Sequence, residues 1–381
     1  MKTARQIEIT IYTLLLVGLI FIYNSSIVHS QNVFGNPHRF FILHFGWVIL
    51  GLLGFTLLSK INYHKILNIA PLLYILTVGL LLFLGLWGVL PCSVSTPFAP
   101  CVNSANRWLV LNPAPFPKIP FVGELSFQPS ELAKIAIIIF LAFKLKSYSH
   151  NDKTYMAFKA YMLYTGVFSA LIMMEPNMST SVLVFLIGSI MYLASGFSIR
   201  PFYFLVPIMF TLAIIFVLIS PYRRERLMTF INRTHTTSQI EEGYQVNQVK
   251  IALGSGGLFG VGFGQSRQKY TYLPEVATDS IFAVIGEEFG FLGSLAICAV
   301  FFYLIYKGFE VAKNARSTSG KLLAVGVTSW IGLQFLIHMM ANSGVIPYTG
   351  VPLPFISYGG SSLLFSMLAM GILINIANTD Q

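Results

Sequence analysis

Leu273-Pro274-Glu275-Val276-Ala277-Thr278-Asp279 runs straight into the apolar stretch that opens Ser280-Ile281-Phe282-Ala283-Val284. Two carboxylates therefore stand at the edge of a long hydrophobic run, where ionisable groups are costly and are kept for a function. Asp279, one residue before the apolar run, also has a plainer reading as a helix cap, since Thr-Asp is acceptable cap chemistry. Upstream, the stretch from Pro221 carries Arg223, Arg224, Arg226, Arg233, Lys250, Arg267 and Lys269. Such cations suit an anionic, phosphorylated ligand. The combination predicts a membrane-embedded site at which a carboxylate acts on a lipid-linked substrate.

The rest of the chain agrees with a membrane setting. Hydrophobic residues make up 55% of it and charged residues 10%, against about 25% charged in a soluble domain. Apolar runs long enough to span fall near 7–28, 41–59, 67–90, 130–146, 160–175, 180–197, 202–220, 280–306, 322–342 and 361–377. The expected fold is therefore an all-α polytopic membrane protein of about ten transmembrane helices, a single integral membrane domain over 1–381. An even number of spans puts both termini on one side. Lys2, Arg5, Lys60, Lys65, Lys144, Lys146, Lys153, Lys159, Arg200, Lys307, Lys313, Arg316 and Lys321 make that side cytoplasmic. The first span lacks a small-residue cleavage site and is read as a retained helix. The formal net charge of +10 is explained by these inside loops and the basic 221–279 loop, so no nucleic-acid partner is implied.

Two outside loops, 91–129 and 221–279, are the large extramembrane segments and should pack over the outer mouth of the bundle. Within the second, Tyr222 to Phe230 is amphipathic at helical spacing, a further helical stretch begins at Gly243, and the glycines from Gly254 to Gly264 break it. The last outside loop, 347–362, is neutral, rich in Pro and Gly and too apolar for a free loop. It is expected to re-enter the bundle, where irregular backbone is tolerated beside a cavity. Cys92 and Cys101 share an outside loop in which a disulfide could form, whereas Cys298 reads as a small core residue.

Inside the bundle, Glu131 and Lys134 share a helix face at i, i+3. An ion pair can be purely structural, but within a membrane it more often faces a polar cavity, which is the reading adopted. Glu287 and Glu288 lie about two helical turns below Asp279 and are read as a polar clamp. Glu175-Pro176-Asn177 reads as a turn. Gly260-Val261-Gly262-Phe263-Gly264 lacks the preceding strand and the downstream acid of a dinucleotide site and is rejected as one. His338, alone in the ninth span, reads as a packed polar residue.

Taken together, Gly254 to Gly260, Gln268 to Glu275, Thr278-Asp279, Glu287-Glu288 and Gly350-Val351-Pro352-Leu353-Pro354-Phe355-Ile356-Ser357-Tyr358-Gly359-Gly360 resemble the SEDS family. Asn106-Arg107-Trp108, Phe127 to Lys134 and Tyr222 to Arg226 extend the resemblance over nearly the whole chain. That family comprises FtsW, RodA and SpoVE, membrane glycosyltransferases that polymerise lipid II into peptidoglycan. The 269–275 and 349–352 segments are closer to the division branch, FtsW, than to the elongation branch. The resemblance implies a SEDS-type bundle with its large extracytoplasmic loop between helices 7 and 8, in the bacterial cytoplasmic membrane. Three departures stand out: Ala277 replaces the family's usual His, Ser280 its usual Phe, and Pro176-Asn177 its Pro-Asp, which removes one cavity carboxylate.

Carried onto this chain, the resemblance implies Asp279 as the catalytic carboxylate, acting as general base. Substrate contacts are expected from Glu275, Lys269, Arg223, Arg226 and Thr278 beside it, and from Gln245 and Gln248 in the same loop. Arg107, Trp108, Gln128, Ser130, Glu131, Lys134 and Asn177 are expected to contribute from the outer ends of earlier spans, and Ser357 and Tyr358 from the last loop. Physically, a GlcNAc 4-hydroxyl attacking C1 of MurNAc needs a base, and the departing undecaprenyl pyrophosphate needs cations. Either side chains or a divalent metal, magnesium or manganese, could supply them. The implied partners are lipid II, a class B penicillin-binding protein and other division proteins. A lipid II flippase and a non-catalytic scaffold for the penicillin-binding protein are the alternatives.

Overall fold

The computed structural model describes residues 2–90, 92, 96–102, 105–117, 125–148, 154–219, 224, 228, 230, 241–270 and 276–379. Apolar segments in lipid must satisfy their backbone polar groups internally, so they fold as helices. The long helices are α1 (Lys2–Phe34), α2 (Arg39–Lys60), α4 (Ala70–Val89), α5 (Pro129–Tyr148), α6 (Thr154–Met174), α7 (Met178–Ala194), α8 (Phe202–Ile219), α10 (Ile281–Asn314), α11 (Thr318–Asn342) and α12 (Gly360–Thr379). A short α3 (Tyr63–Asn68) joins α2 to α4, and α9 (Glu241–Ser255) lies in the large loop. Each expected span coincides with one of the long helices, and seven helices are long and apolar enough to cross a membrane by themselves. The chain is thus a multi-pass membrane protein. α5, which carries Glu131 and Lys134, and the shorter apolar α7 and α8 are not among the seven.

α5 and α11 form the heart of the bundle, with Ile135 to Ala142 and Leu322 to Ile331 almost wholly buried. α12 packs along α2, and α10 along α11 and α1. α8 stands apart, with Tyr203, Phe204 and Phe210 exposed, as suits a helix surrounded by lipid tails. Outside the helices, β1 (Leu109–Val110) and β2 (Ser126–Phe127) pair antiparallel with Leu109 opposite Phe127, which delivers the chain to the start of α5. A Cys92–Cys101 disulfide staples the preceding segment, with Cα atoms 5.5 Å apart.

The eighth span is not the single run that the sequence suggests. α10 is broken at Gly290, whose φ of 66° and ψ of −162° lie outside the helical region. The broken backbone is repaired by the glycine-rich turn after α9. Val261 and Gly262 N–H donate to the Glu287 and Glu288 carbonyls, each at 3.0 Å. Beyond the break, Phe291 and Leu292 N–H donate to the Gly257 and Leu258 carbonyls at 2.9 and 3.2 Å. A Cβ at Gly260 would collide with the Glu288 carbonyl, so glycine is required for this docking. Glu287 and Glu288 consequently end a short first segment rather than continuing down a straight helix.

Residues 347–359, between α11 and α12, form an irregular strap buried inside the bundle. Val351, Leu353, Phe355 and Ile356 are each at most 3% exposed. Phe355 is held at a φ of 64°, a left-handed conformation that a bulky residue adopts only when its surroundings enforce it. α1 supplies part of that enclosure: Gly18 leaves room for the Phe355 carbonyl, which a Cβ there would approach to 2.5 Å.

Candidate active site

The strap positions the site. Its backbone is tied to the start of α10 by Tyr358 N–H to the Ala277 carbonyl at 2.7 Å and by the Ser357 hydroxyl to the Thr278 carbonyl at 2.5 Å. The same Ser357 oxygen accepts from Leu353 N–H at 2.8 Å, so Ser357 is a knot within the strap. Asp279 follows directly, and Ser280, not Asp279, occupies the cap position of α10. The Ser280 side chain makes no capping hydrogen bond to α10. Gly350 backs the Asp279 carboxylate, a Cβ there falling 3.3 Å from Oδ2.

α11 holds the other side. Gln334, His338 and Asn342 recur at i, i+4 and so share one face. Gln334 Nε2 donates to the Pro352 carbonyl at 2.9 Å, His338 Nδ1 meets the Val351 carbonyl at 2.8 Å, and Asn342 Nδ2 donates to the Asp279 carbonyl at 3.1 Å. From α9, Gln245 reaches the Tyr348 hydroxyl at 2.9 Å and Ser280 at 3.3 Å, with Ser280 and Tyr348 2.8 Å apart. These side chains lock the segment around Asp279. Tyr358 turns its ring toward Phe40 and His44, at centroid distances of 5.2 and 5.8 Å.

A second constellation lies at the start of α5. Lys134 Nζ is 2.7 Å from Glu131, donates to Gln334 Oε1 at 3.0 Å and sits 4.8 Å from the Trp330 ring centroid. Trp330 Nε1 donates to the same Gln334 oxygen at 2.8 Å. The pair is 4% and 1% exposed, so it is sealed among side chains here rather than forming the open cavity wall expected from sequence. Gln128 N–H donates to Ser361 at 3.2 Å, joining the start of α5 to the start of α12, and Ser130 is buried beside it. Gln334 therefore links this pair to the strap that backs Asp279.

The remaining expected contacts divide into two further groups. At the α6–α7 turn, Arg107 donates to the Glu175 and Pro176 carbonyls at 3.2 and 2.6 Å, with Trp108 adjacent. Asn177 caps α7 by accepting from Thr180 N–H at 3.3 Å, a structural use rather than the ligand contact expected. α6 ends at Met174, which leaves Glu175 in the turn, wholly buried and without a hydrogen-bond partner for either carboxylate oxygen among the described residues. Desolvation raises its pKa to about 9, against a smaller opposing pull from Arg107, so it is a neutral acid at pH 7.

Lys269 is also used differently from the expectation. Its ammonium contacts Glu288 at 2.9 Å, Asn24 Oδ1 at 2.7 Å and the Gly264 carbonyl at 2.8 Å, and the residue is 6% exposed. Three acceptors saturate its three N–H donors. Glu287 in turn accepts from the Ser266 hydroxyl at 2.5 Å and from Arg267 N–H at 3.0 Å. Lys269 is therefore part of the Glu287–Glu288 clamp and not a cation offered to a ligand. Gln248 lies half-buried on α9, away from any of these ties. Glu275, Arg223 and Arg226 lie outside the described residues, as does most of the amphipathic 222–230 stretch.

Sequence reasoning missed Gln334, Asn342 and Asn24 as members of these networks. The signal for the first two was present: polar residues at i, i+4 within an otherwise apolar span mark a face that does not meet lipid. Among the described residues no three His, Cys, Asp or Glu side chains converge to hold a metal ion.

Comparison with known proteins gives a consistent picture. A family model described as cell cycle protein, covering FtsW, RodA and SpoVE, matches residues 5–381. The chain is 35% identical over 375 residues to a Coxiella burnetii protein named probable peptidoglycan glycosyltransferase FtsW, covering 97% of this chain and 95% of that one. It is 34% identical over 386 residues to stage V sporulation protein E of Bacillus subtilis, covering 100% and 99%. Among solved structures, it superposes with a TM-score of 0.74 and 22% identity on a chain from a peptidoglycan synthase complex that coordinates polymerization and crosslinking, covering 98% and 96%. The rod shape determining protein RodA of Thermus thermophilus gives a TM-score of 0.68 at 21% identity, covering 98% and 96%.

Proposed function

The chain belongs to the FtsW/RodA/SpoVE family of cell cycle proteins, and from that membership and the surroundings of Asp279 we propose that it is a peptidoglycan glycosyltransferase that polymerises lipid II in cell division. The observation that carries the reading is the seat of Asp279. Asp279 stands at the mouth of a broken helix, its carboxylate beside Gly350 and its main-chain carbonyl held by Asn342 Nδ2. Preorganisation of this kind is what a general base needs.

In the reaction, the acceptor 4-hydroxyl attacks C1 of the donor MurNAc. The bond from C1 to the pyrophosphate oxygen breaks as the new β-1,4 bond forms, with inversion. Asp279 takes the hydroxyl proton, and undecaprenyl pyrophosphate leaves as an anion. Lys269 is committed to Glu288, which leaves Arg223 and Arg226, or a bound divalent cation, to stabilise the leaving pyrophosphate. The reading includes a class B penicillin-binding protein as partner, supported by the fold shared with a chain of a synthase complex that couples polymerization to crosslinking. It also includes residence in the cytoplasmic membrane with both termini inside, supported by the distribution of Lys and Arg.

Purified protein in detergent, given lipid II with and without the partner transpeptidase, should make glycan strands. A flippase would need a sealed bilayer and make none, and a scaffold would leave polymerisation unchanged when Asp279 is replaced.

A further inference from the structure

The polar face of α11 is filled at one end and unfilled at the other. Gln334 uses both ends of its amide: Nε2 on the Pro352 carbonyl, and Oε1 on Lys134 and Trp330. One turn on, His338 uses only one of its ring nitrogens. Nδ1 lies 2.8 Å from the Val351 carbonyl. A carbonyl can only accept, so Nδ1 carries the hydrogen, and the neutral ring then presents Nε2 as a lone-pair acceptor. His338 is 1% exposed, and Nε2 has no hydrogen-bond partner among the described residues. One further turn along, Asn342 Oδ1 is in the same condition, although its Nδ2 is bonded to the Asp279 and His338 carbonyls at 3.1 and 3.0 Å. Thr349 Oγ1, in the strap next to Gly350, is a third buried oxygen without a partner.

An unsatisfied buried acceptor is destabilising. Two of them one turn apart, on the helix that braces Asp279, form a cluster that the protein's own donors leave unmet. What such a cluster takes is a ligand rich in hydroxyl donors. The segment around it is fixed: Val351 follows Gly350, which backs the Asp279 carboxylate, and His338 holds Val351.

We propose that His338 Nε2, with Asn342 Oδ1 one helical turn along, is a binding site for sugar hydroxyls, and that His338 is a specificity-determining contact for the saccharide acted on at Asp279. This rests on the glycosyltransferase reading and assigns part of its substrate site. The neutral imidazole accepts a hydrogen bond from a ring hydroxyl, and no proton is transferred.

Two amide substitutions separate the roles of the two ring nitrogens. His338→Asn places an N–H donor near the Nδ1 position, preserving the tie to Val351, and has nothing at the ε position. His338→Gln places an amide oxygen at the ε position. Full-length protein in detergent is assayed for binding of a fluorescent lipid-linked disaccharide and for its polymerisation. The expected result is a rise in Kd and KM of roughly 3- to 10-fold for His338→Asn, with kcat changed less than about twofold and an unchanged melting midpoint. His338→Gln should recover most of the affinity. Wild-type affinity in His338→Asn would overturn the proposal, and so would parallel loss of affinity and melting midpoint in both variants, which would make the residue structural. A wild-type protein that binds the disaccharide but does not join it would overturn the polymerase reading alone, since the binding comparison still reads His338.

Discussion

Two buried polar clusters stand at the two ends of the short first segment of α10, and they differ in how completely the protein satisfies them. In the Lys269 clamp every charge has its partners: the ammonium has three acceptors, and Glu287 and Glu288 collect donors from Ser266, Arg267, Asn24 and Lys269. Around Asp279, by contrast, His338 Nε2, Asn342 Oδ1 and Thr349 Oγ1 have none among the described residues. A saturated cluster holds the fold, because nothing on it is left for a ligand. An unsaturated one, held rigid by backbone ties, is where a ligand completes the bonding. Two sets of buried polar residues are thus separated by their hydrogen bonding.

The largest effect that would break this comparison is expected at the clamp. Glu288→Gln leaves Lys269 buried with neutral partners only, which should destabilise the protein by about 3–5 kcal/mol. Adding Lys269→Met should recover much of that, because both charges are then gone. Thermal unfolding in detergent reads both. A Glu288→Gln protein that melts normally yet fails to polymerise would move the clamp into the chemistry.

The disulfide is a control remote from both clusters. Replacing Cys92 and Cys101 by Ser opens a loop with a sequence separation of 9, a loss of about 2–3 kcal/mol in the chain-entropy account. Turnover per folded molecule should be unchanged, and mass spectrometry of non-reduced digests should find the two residues linked.

The smallest expected effect concerns Glu175, whose folded-state pKa is raised from 4.5 to about 9. An acid shifted upward is protonated in the folded state while the unfolded chain is ionised, so stability is greatest below the unfolded value and falls as pH rises through this window. The slope is about 1.4 kcal/mol per pH unit at most. Glu175→Gln should flatten the pH dependence of the melting midpoint between pH 6 and pH 8, and an unchanged slope would show that Arg107 keeps the carboxylate ionised.

Some of this was legible in the chain and some was not, for physical reasons. Helix positions follow from apolar length, since lipid leaves no other way to satisfy a backbone. Glu131 and Lys134 are neighbours by helical geometry alone, and Asp279 is conspicuous because it stands at the start of a span. The break at Gly290 was hidden because the apolar composition continues through it, and a glycine inside a span is unremarkable until another backbone docks on it. The role of Lys269 depends on Glu288, 19 residues away, which it meets only because the Gly260 turn folds the loop back onto α10. Gln334, His338 and Asn342 find their partners in carbonyls of a strap, and carbonyls carry no sequence signal. Asn177 and Ser357 are expected as ligand contacts from the family resemblance, yet Asn177 caps α7 and Ser357 ties the strap to the Thr278 carbonyl.

The most direct test of the contrast between the two clusters is lipid II polymerisation by purified Asp279→Asn protein in detergent, measured alongside its melting midpoint. The amide keeps the size and much of the hydrogen bonding of the carboxylate but cannot take a proton at neutral pH. The expected result is a loss of about a hundredfold or more in rate, with wild-type melting and wild-type binding of the partner. Near-wild-type polymerisation by a well-folded Asp279→Asn protein would contradict it.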